Sequence, residues 1–113
     1  MQKKTYTVCV FCGSKSGNNI KYLKLANTLG KKLAERNLNV IYGGGNSGLM
    51  GALAEGVLAK NGSLTSVIPK FFKNKMNIIK SKKEIVTKDL FDRKSIMIKK
   101  SDFFIALPGG FGT

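Results

Sequence analysis

Residues 38–51 read LNVIYGGGNSGLMG, and this stretch decides the fold class. Leu38 to Tyr42 is a short apolar run typical of a strand buried on both faces, and three glycines end it. From Gly48 to Lys60 the apolar residues recur at helical spacing, and Asn61-Gly62 then stops the helix. A strand, a glycine loop and a helix in this order form the repeating unit of an α/β protein.

The same alternation continues on both sides of this stretch. Four further strands are predicted at residues 6–12, 64–68, 84–87 and 103–107, and two further helices at 20–36 and 90–101. Between them, the lysine-rich segment 69–83 is predicted to be a loop with one helical turn. The fold class is therefore α/β, a Rossmann-like parallel sheet with helices on both faces. Because no helix follows the fifth strand, we expect residues 1–113 to be a single nucleotide-binding domain, truncated after that strand.

The charge is strongly positive: 20 Lys plus Arg stand against 6 Asp plus Glu, a formal net charge of +14. The chain has no His, which excludes His-ligated metals, Ser-His-Asp hydrolases and zinc deaminases. The lysines are not accompanied by a series of stacking aromatics or by a helix suited to reading bases. A nucleic-acid-binding protein is therefore the least favoured reading, and we expect no specific nucleic-acid partner.

The N-terminal segment predicts neither a leader nor an anchor. Its apolar run, Val8 to Cys12, is too short for a signal peptide or a membrane span, so we expect a cytoplasmic protein without a membrane partner. Cys9 and Cys12 match C-x-x-C, but side chains three apart on a strand point to opposite faces. Both cysteines are therefore interpreted as small hydrophobic residues rather than as a redox pair.

Three glycine-rich loops follow predicted strands, at residues 13–19, 43–51 and 109–113. The carboxyl ends of parallel strands are where open α/β sheets bind ligands. Glycine lets the backbone approach an anion, and the helix that follows offers unpaired N–H groups. Three such loops on one edge of the sheet indicate a phosphate-bearing ligand.

Two sequence motifs that would identify the phosphate ligand are incomplete or absent, and this narrows the class of ligand. Residues 43–48 fit G-x-G-x-x-G, but the dinucleotide fingerprint also needs an acid about 20 residues later. No Asp or Glu occurs between Val57 and Lys83. A Walker loop is absent as well, which leaves a mononucleotide or a sugar phosphate.

Four motifs in order resemble the Lonely Guy (LOG) family. They are Cys12-Gly13-Ser14, the glycine stretch 42–51, Arg93-Lys94, and the run LPGGFGT at residues 107–113. Members of this family are phosphoribohydrolases that cleave cytokinin riboside 5′-monophosphates, and often AMP, to the free base and ribose 5-phosphate. The resemblance implies a nucleoside 5′-monophosphate substrate, no cofactor or metal, and a homodimer or larger assembly.

The resemblance also assigns roles to residues. Arg93 would be catalytic, holding the substrate and offsetting charge on the leaving base, and Lys94 would contact the substrate. The other substrate-binding residues would hold the 5′-phosphate: Ser14, Gly44, Gly45, Gly109, Gly110, Gly112 and Thr113. Simpler interpretations remain open for Lys94 as a solvated surface residue and for Ser14 as the cap of a turn.

The family pattern places a catalytic Glu three positions after Thr113, beyond this sequence. We therefore expect the 113-residue chain itself to be inactive. Segment 72–76 lacks an acid, and segment 91–94 lacks a His, that many relatives carry there. The missing acid leaves the preferred base undetermined. The alternative interpretation is a non-catalytic module that binds a nucleotide or another phosphate ligand.

Overall fold

A computed structural model describes residues 5–12, 20–72 and 83–107. Its strands are β1 (Thr7–Phe11), β2 (Asn39–Tyr42), β3 (Ser63–Pro69), β4 (Lys83–Thr87) and β5 (Phe103–Ala106). Its helices are α1 (Ile20–Glu35), α2 (Gly48–Ala59) and α3 (Leu90–Lys99), and a 3-10 turn (Lys70–Phe72) follows β3. The predicted alternation of strands and helices is confirmed, with ends displaced by two residues at most. None of these described helices is long and apolar enough to cross a membrane.

The strands form one parallel sheet in the order β4-β3-β2-β1-β5. The chain steps outward from β1 to β4 and then returns to the other side of β1. Because parallel crossovers are right-handed, a reversal of direction also changes the face on which the connecting helix lies. Accordingly, Val8 and Val10 of β1 belong to the core formed with α1 and α2. Cys9 of the same strand packs in a second core with Met97 of α3. The predicted helices on both faces are confirmed.

The reversal makes the carboxyl ends of β1 and β5 neighbours. Phe11 pairs with Ala106, and the Leu107 amide donates to the Phe11 carbonyl at 2.8 Å. Such a switch point is where open α/β sheets leave a crevice for ligands. The first and third glycine loops of the sequence follow these two strands, at residues 13–19 and 109–113, and lie outside the described residues.

Helices α1 and α2 touch through their backbones. A Cβ atom added to Gly30 would lie 2.3 Å from the Leu53 carbonyl oxygen, and one added to Gly56 would lie 2.2 Å from that of Asn27. The Asn27 side-chain amide donates to the Ala52 carbonyl at 3.1 Å across the same contact. This contact holds α2, whose N-terminus follows the second glycine loop, against the rest of the domain.

We expect Gly56→Ala to destabilise the fold by about 1–3 kcal/mol, because the new methyl group would push the two helix backbones apart. The loss would occur although alanine favours a helix over glycine by about 1 kcal/mol. Urea unfolding followed by circular dichroism measures the change. Thr28→Ala, an exposed position on α1, is the control and should stay within about 0.5 kcal/mol of the original. A neutral or stabilising Gly56→Ala would contradict the close packing.

Candidate functional site

The start of α3 is fixed by a reciprocal cap. The Asp89 carboxylate accepts from the Asp92 amide at 2.8 Å, and the Asp92 carboxylate accepts from the Lys88 amide at 3.2 Å. The Thr87 hydroxyl also donates to the Asp89 carbonyl at 3.1 Å. Both carboxylates lie at the positive end of the helix, where negative charge is stabilising. Arg93 directly follows this cap, so its backbone position in the first turn of α3 is well defined.

The Arg93 guanidinium lies across the ends of β2 and β3. Its Nε donates to the Val67 carbonyl and its Nη2 donates to the Gly43 carbonyl, both at 3.1 Å. The pairing of β2 with β3 ends at Tyr42 and Ser66, one residue before each of these carbonyls. Arg93 therefore joins the two strands where their own hydrogen bonding stops. The guanidinium is a planar fork of five N–H donors. Nε–H and one Nη2–H, which form its side edge, are used in these two bonds. Nη1, at the end of the fork, has no hydrogen-bond partner among the described residues.

The second glycine loop is shaped by two further constraints. Gly44 has φ +89°, which strongly favours glycine, and a Cβ there would lie 2.6 Å from the Ile68 side chain. The buried Tyr42 hydroxyl donates to the Gly45 carbonyl at 3.3 Å. Burial raises the pKa of Tyr42 to about 12, so it stays a neutral donor at physiological pH. Arg93 and Tyr42 thus fix the loop through their hydrogen bonds to its Gly43 and Gly45 carbonyls.

Among the described residues, the positive charge of Arg93 has no carboxylate partner. Arg93 is partly buried, and burial lowers the pKa of its guanidinium, although arginine remains charged in proteins. All six Asp and Glu residues of the chain fall within the described ranges, yet none of them forms an ion pair with Arg93. The ion pair found among the described residues joins Lys60 to Glu35 at 3.5 Å. A cation withdrawn from water in this way favours an anionic ligand.

The two cysteines are free thiols near this cation. Burial raises the pKa of Cys9 to about 11 and that of Cys12 to about 12, and the charge of Arg93 only partly opposes the effect. At neutral pH both are protonated and weakly nucleophilic. This supports their interpretation as small hydrophobic residues. Among the described residues, no three His, Cys, Asp or Glu side chains are arranged to hold a metal ion.

The structure brings together three of the predicted site residues, Arg93, Gly44 and Gly45. Lys94 is exposed on α3 and does not share the partly buried environment of its neighbour. The remaining predicted positions lie outside the described residues: Ser14, Gly109, Gly110, Gly112 and Thr113.

Two features of the site were missed from the sequence. One is the cap before α3, which the spacing of Asp89 and Asp92 could have indicated. The other is Gly43, which carries a contact of Arg93. No signal in the sequence distinguishes it from the two glycines that follow.

We expect both thiols to resist alkylation in the folded protein. At pH 8 the reaction of Cys9 with iodoacetamide should be about 100-fold slower than in urea and that of Cys12 about 1,000-fold slower, because pKa values about two and three units above the ordinary 9.0 deplete the thiolate. Since the folded-state pKa values are raised, the protonated thiols favour folding below pH 9, and this contribution is lost as the pH rises through 11 for Cys9 and through 12 for Cys12. Cys9→Ala and Cys12→Ala report the thiols separately. Native labelling at the unfolded rate would contradict the burial.

Comparison with known proteins relates this chain to a family. The chain is 40% identical over 114 residues to cytokinin riboside 5′-monophosphate phosphoribohydrolase LOG1 of Arabidopsis thaliana, covering 100% of this chain and 54% of that protein. It is 42% identical over 107 residues to the phosphoribohydrolase LOG5 of the same plant, covering 94% of this chain and 47% of that protein. The chain thus spans about half the length of these curated relatives.

A solved structure shares the fold. The molybdenum cofactor binding protein of the phototrophic bacterium Rippkaea orientalis superposes with a TM-score of 0.81 at 26% identity, over 98% of this chain and 67% of that protein. The SLOG cluster4 family (LDcluster4) matches residues 5–113. The resemblance that the four sequence motifs indicated is therefore confirmed, and the chain belongs to the SLOG cluster4 family.

Proposed function

We propose that the protein containing these residues is a phosphoribohydrolase that cleaves a nucleoside 5′-monophosphate, AMP or a cytokinin ribotide, to the free base and ribose 5-phosphate. The observation that carries the proposal is the partly buried Arg93 guanidinium at the carboxyl edge of the sheet, which pairs with no carboxylate among the described residues. The 40% identity to a plant phosphoribohydrolase supports the reaction type.

In this proposal Arg93 meets the substrate with the end of its fork. The side edge of the guanidinium is already bonded to the Val67 and Gly43 carbonyls, so Nη1 and the second Nη2 hydrogen remain for a ligand. The Gly44-Gly45 loop, Ser14, and the stretch from Gly109 to Thr113 would hold the 5′-phosphate through backbone N–H groups. Lys94, exposed beside Arg93, would add to the field that attracts the phosphate.

The bond to be broken joins C1′ of the ribose to a ring nitrogen of the base. As it breaks, the electron pair leaves with the base and positive charge develops on the ribose ring, as in glycoside hydrolysis. The oxygen of a water molecule then bonds to C1′, and a proton reaches the departing nitrogen. Arg93 would offset the negative charge on the leaving base, while a carboxylate would stabilise the ribose cation and orient the water.

That carboxylate is not beside Arg93 in the described residues. Because every acidic residue of the chain is described and none pairs with the guanidinium, we propose that these 113 residues bind a nucleotide but do not hydrolyse it. The resemblance assigns the acid to a Glu three positions after Thr113. The complete gene product would then carry the activity, as a homodimer or larger assembly in the cytoplasm.

The binding part of the proposal can be tested on the 113-residue chain by calorimetry. We expect AMP to bind more tightly than adenosine, because the phosphate supplies the anion that the loops favour. Arg93→Ala should weaken AMP binding by at least about tenfold, since truncating a partly buried hydrogen-bonding cation leaves its partners unpaired. Lys99→Ala, which removes one exposed charge from the same helix, is the matched control and should change affinity less than about twofold. Equal effects of the two variants would show that only net charge matters.

The catalytic part is tested on the complete gene product. We expect release of adenine from AMP, measured by chromatography, and its loss in Arg93→Ala. The 113-residue chain should release no adenine above the rate without protein. Hydrolysis by the short chain would contradict the assignment of the acid outside it, and an intact protein that binds AMP without releasing adenine would contradict the enzyme.

The second candidate is a carrier that holds a phosphate-bearing ligand without cleaving it. The structural match to a cofactor binding protein favours this interpretation, and so does the lack of a carboxylate partner for Arg93 within the part of the chain that the structure describes. The two candidates separate in the same hydrolysis assay, because a carrier would bind AMP or a related anion and return it unchanged.

A further inference from the structure

Gly43, the first residue after β2, is the point where the main chain touches the Arg93 guanidinium. A Cβ atom added to Gly43 would lie 1.8 Å from Nη2 and 3.1 Å from Cζ of Arg93, and 3.0 Å from the Met50 methyl carbon. Gly43 does not have a positive φ, so its backbone conformation is open to any residue. The requirement for glycine here is one of space alone.

Gly44, the next residue, needs glycine for a different reason. Its φ of +89° is unfavourable for other residues, and its nearest neighbour is the Ile68 side chain rather than Arg93. Two adjacent glycines of one loop therefore have separable roles. Gly44 shapes the chain, whereas Gly43 leaves room for a side chain that arrives from α3.

We propose that Gly43 is a positioning residue that sets how Arg93 is presented to the substrate. Without a side chain at position 43, the guanidinium lies against the main chain and bonds to the Gly43 and Val67 carbonyls. These bonds use the side edge of the fork and leave its end for the ligand. Any side chain at position 43 would displace the guanidinium from this place. The consequence for catalysis rests on the proposed function, whereas the contact itself does not.

The group that a side chain at position 43 would displace is the guanidinium at the far end of the flexible Arg93 side chain, so the backbone need not move. Gly43→Ala should therefore fold, while its Arg93 adopts another rotamer and loses both carbonyl contacts. A misplacement of about 1 Å at a catalytic group can reduce turnover by about 100-fold. Lysine would not reproduce this arrangement, because an ammonium bonded to both carbonyls has one donor left on the same nitrogen, whereas the planar guanidinium keeps a separate set of donors for the ligand.

The first test observes the Arg93 Nε–H by nuclear magnetic resonance in the 113-residue chain and needs no activity. We expect slow exchange with water in the original chain, because this hydrogen is bonded to Val67, and fast exchange in Gly43→Ala. Gly62→Ala is the matched control, a buried glycine whose added Cβ would meet Ala34 and Val57 rather than Arg93. It should leave the Nε–H exchange unchanged. Slow exchange in Gly43→Ala would overturn the proposal.

The second test is a double-mutant cycle on the complete gene product, with kcat/KM for AMP as the readout. We expect Gly43→Ala to lower kcat/KM about 100-fold when Arg93 is present, and less than about twofold in an Arg93→Ala background, because the effect runs through Arg93. Equal losses in both backgrounds would overturn the proposal. If the protein released no adenine, the proposed function would fail, and AMP affinity would replace kcat/KM in the same cycle.

Discussion

The hydrogen bonds from Arg93 to the Val67 and Gly43 carbonyls connect the described parts of the site. β2 and β3 stop pairing one residue earlier, and the guanidinium joins them past that point. Such bonds from a charged donor contribute more than neutral ones, about 1.5–3 kcal/mol each. Because the donor comes from α3 on one face and the loop leads into α2 on the other, these bonds couple the two layers of helices through the sheet.

The site depends equally on the fact that no carboxylate among the described residues forms an ion pair with Arg93. The chain has 20 basic residues, and most of those that the structure describes are exposed, where water screens their charge. Arg93 is different because it is partly withdrawn from water and faces main-chain carbonyls rather than carboxylates. Its desolvation is thus only partly offset within the described protein. An anionic ligand would complete the offset, and this makes a phosphate-bearing substrate physically reasonable at this edge.

Much of the fold could be predicted from the sequence because its signals are local. Apolar runs, helical spacing and glycine stops were enough to give the succession of elements and nearly all of their ends. The strand order was not predictable in that way, since pairing between β1 and β5 joins residues almost a hundred positions apart. For the site, Arg93 stood out as one of two arginines and as part of a motif. Gly43 did not, because its importance depends on the atom opposite it, which only the tertiary structure reveals.

The two acceptors of Arg93 are main-chain atoms, and this has a consequence for how the sequence can change over time. A carbonyl oxygen is present whatever side chain the residue carries. Position 67 can therefore drift among strand-forming residues that fill the same core, without the arginine losing its anchor. Position 43 has no such freedom, since the guanidinium can reach its carbonyl oxygen only while the space of a Cβ atom stays unoccupied. Of the two residues whose carbonyls hold Arg93, position 67 thus tolerates substitution and position 43 does not.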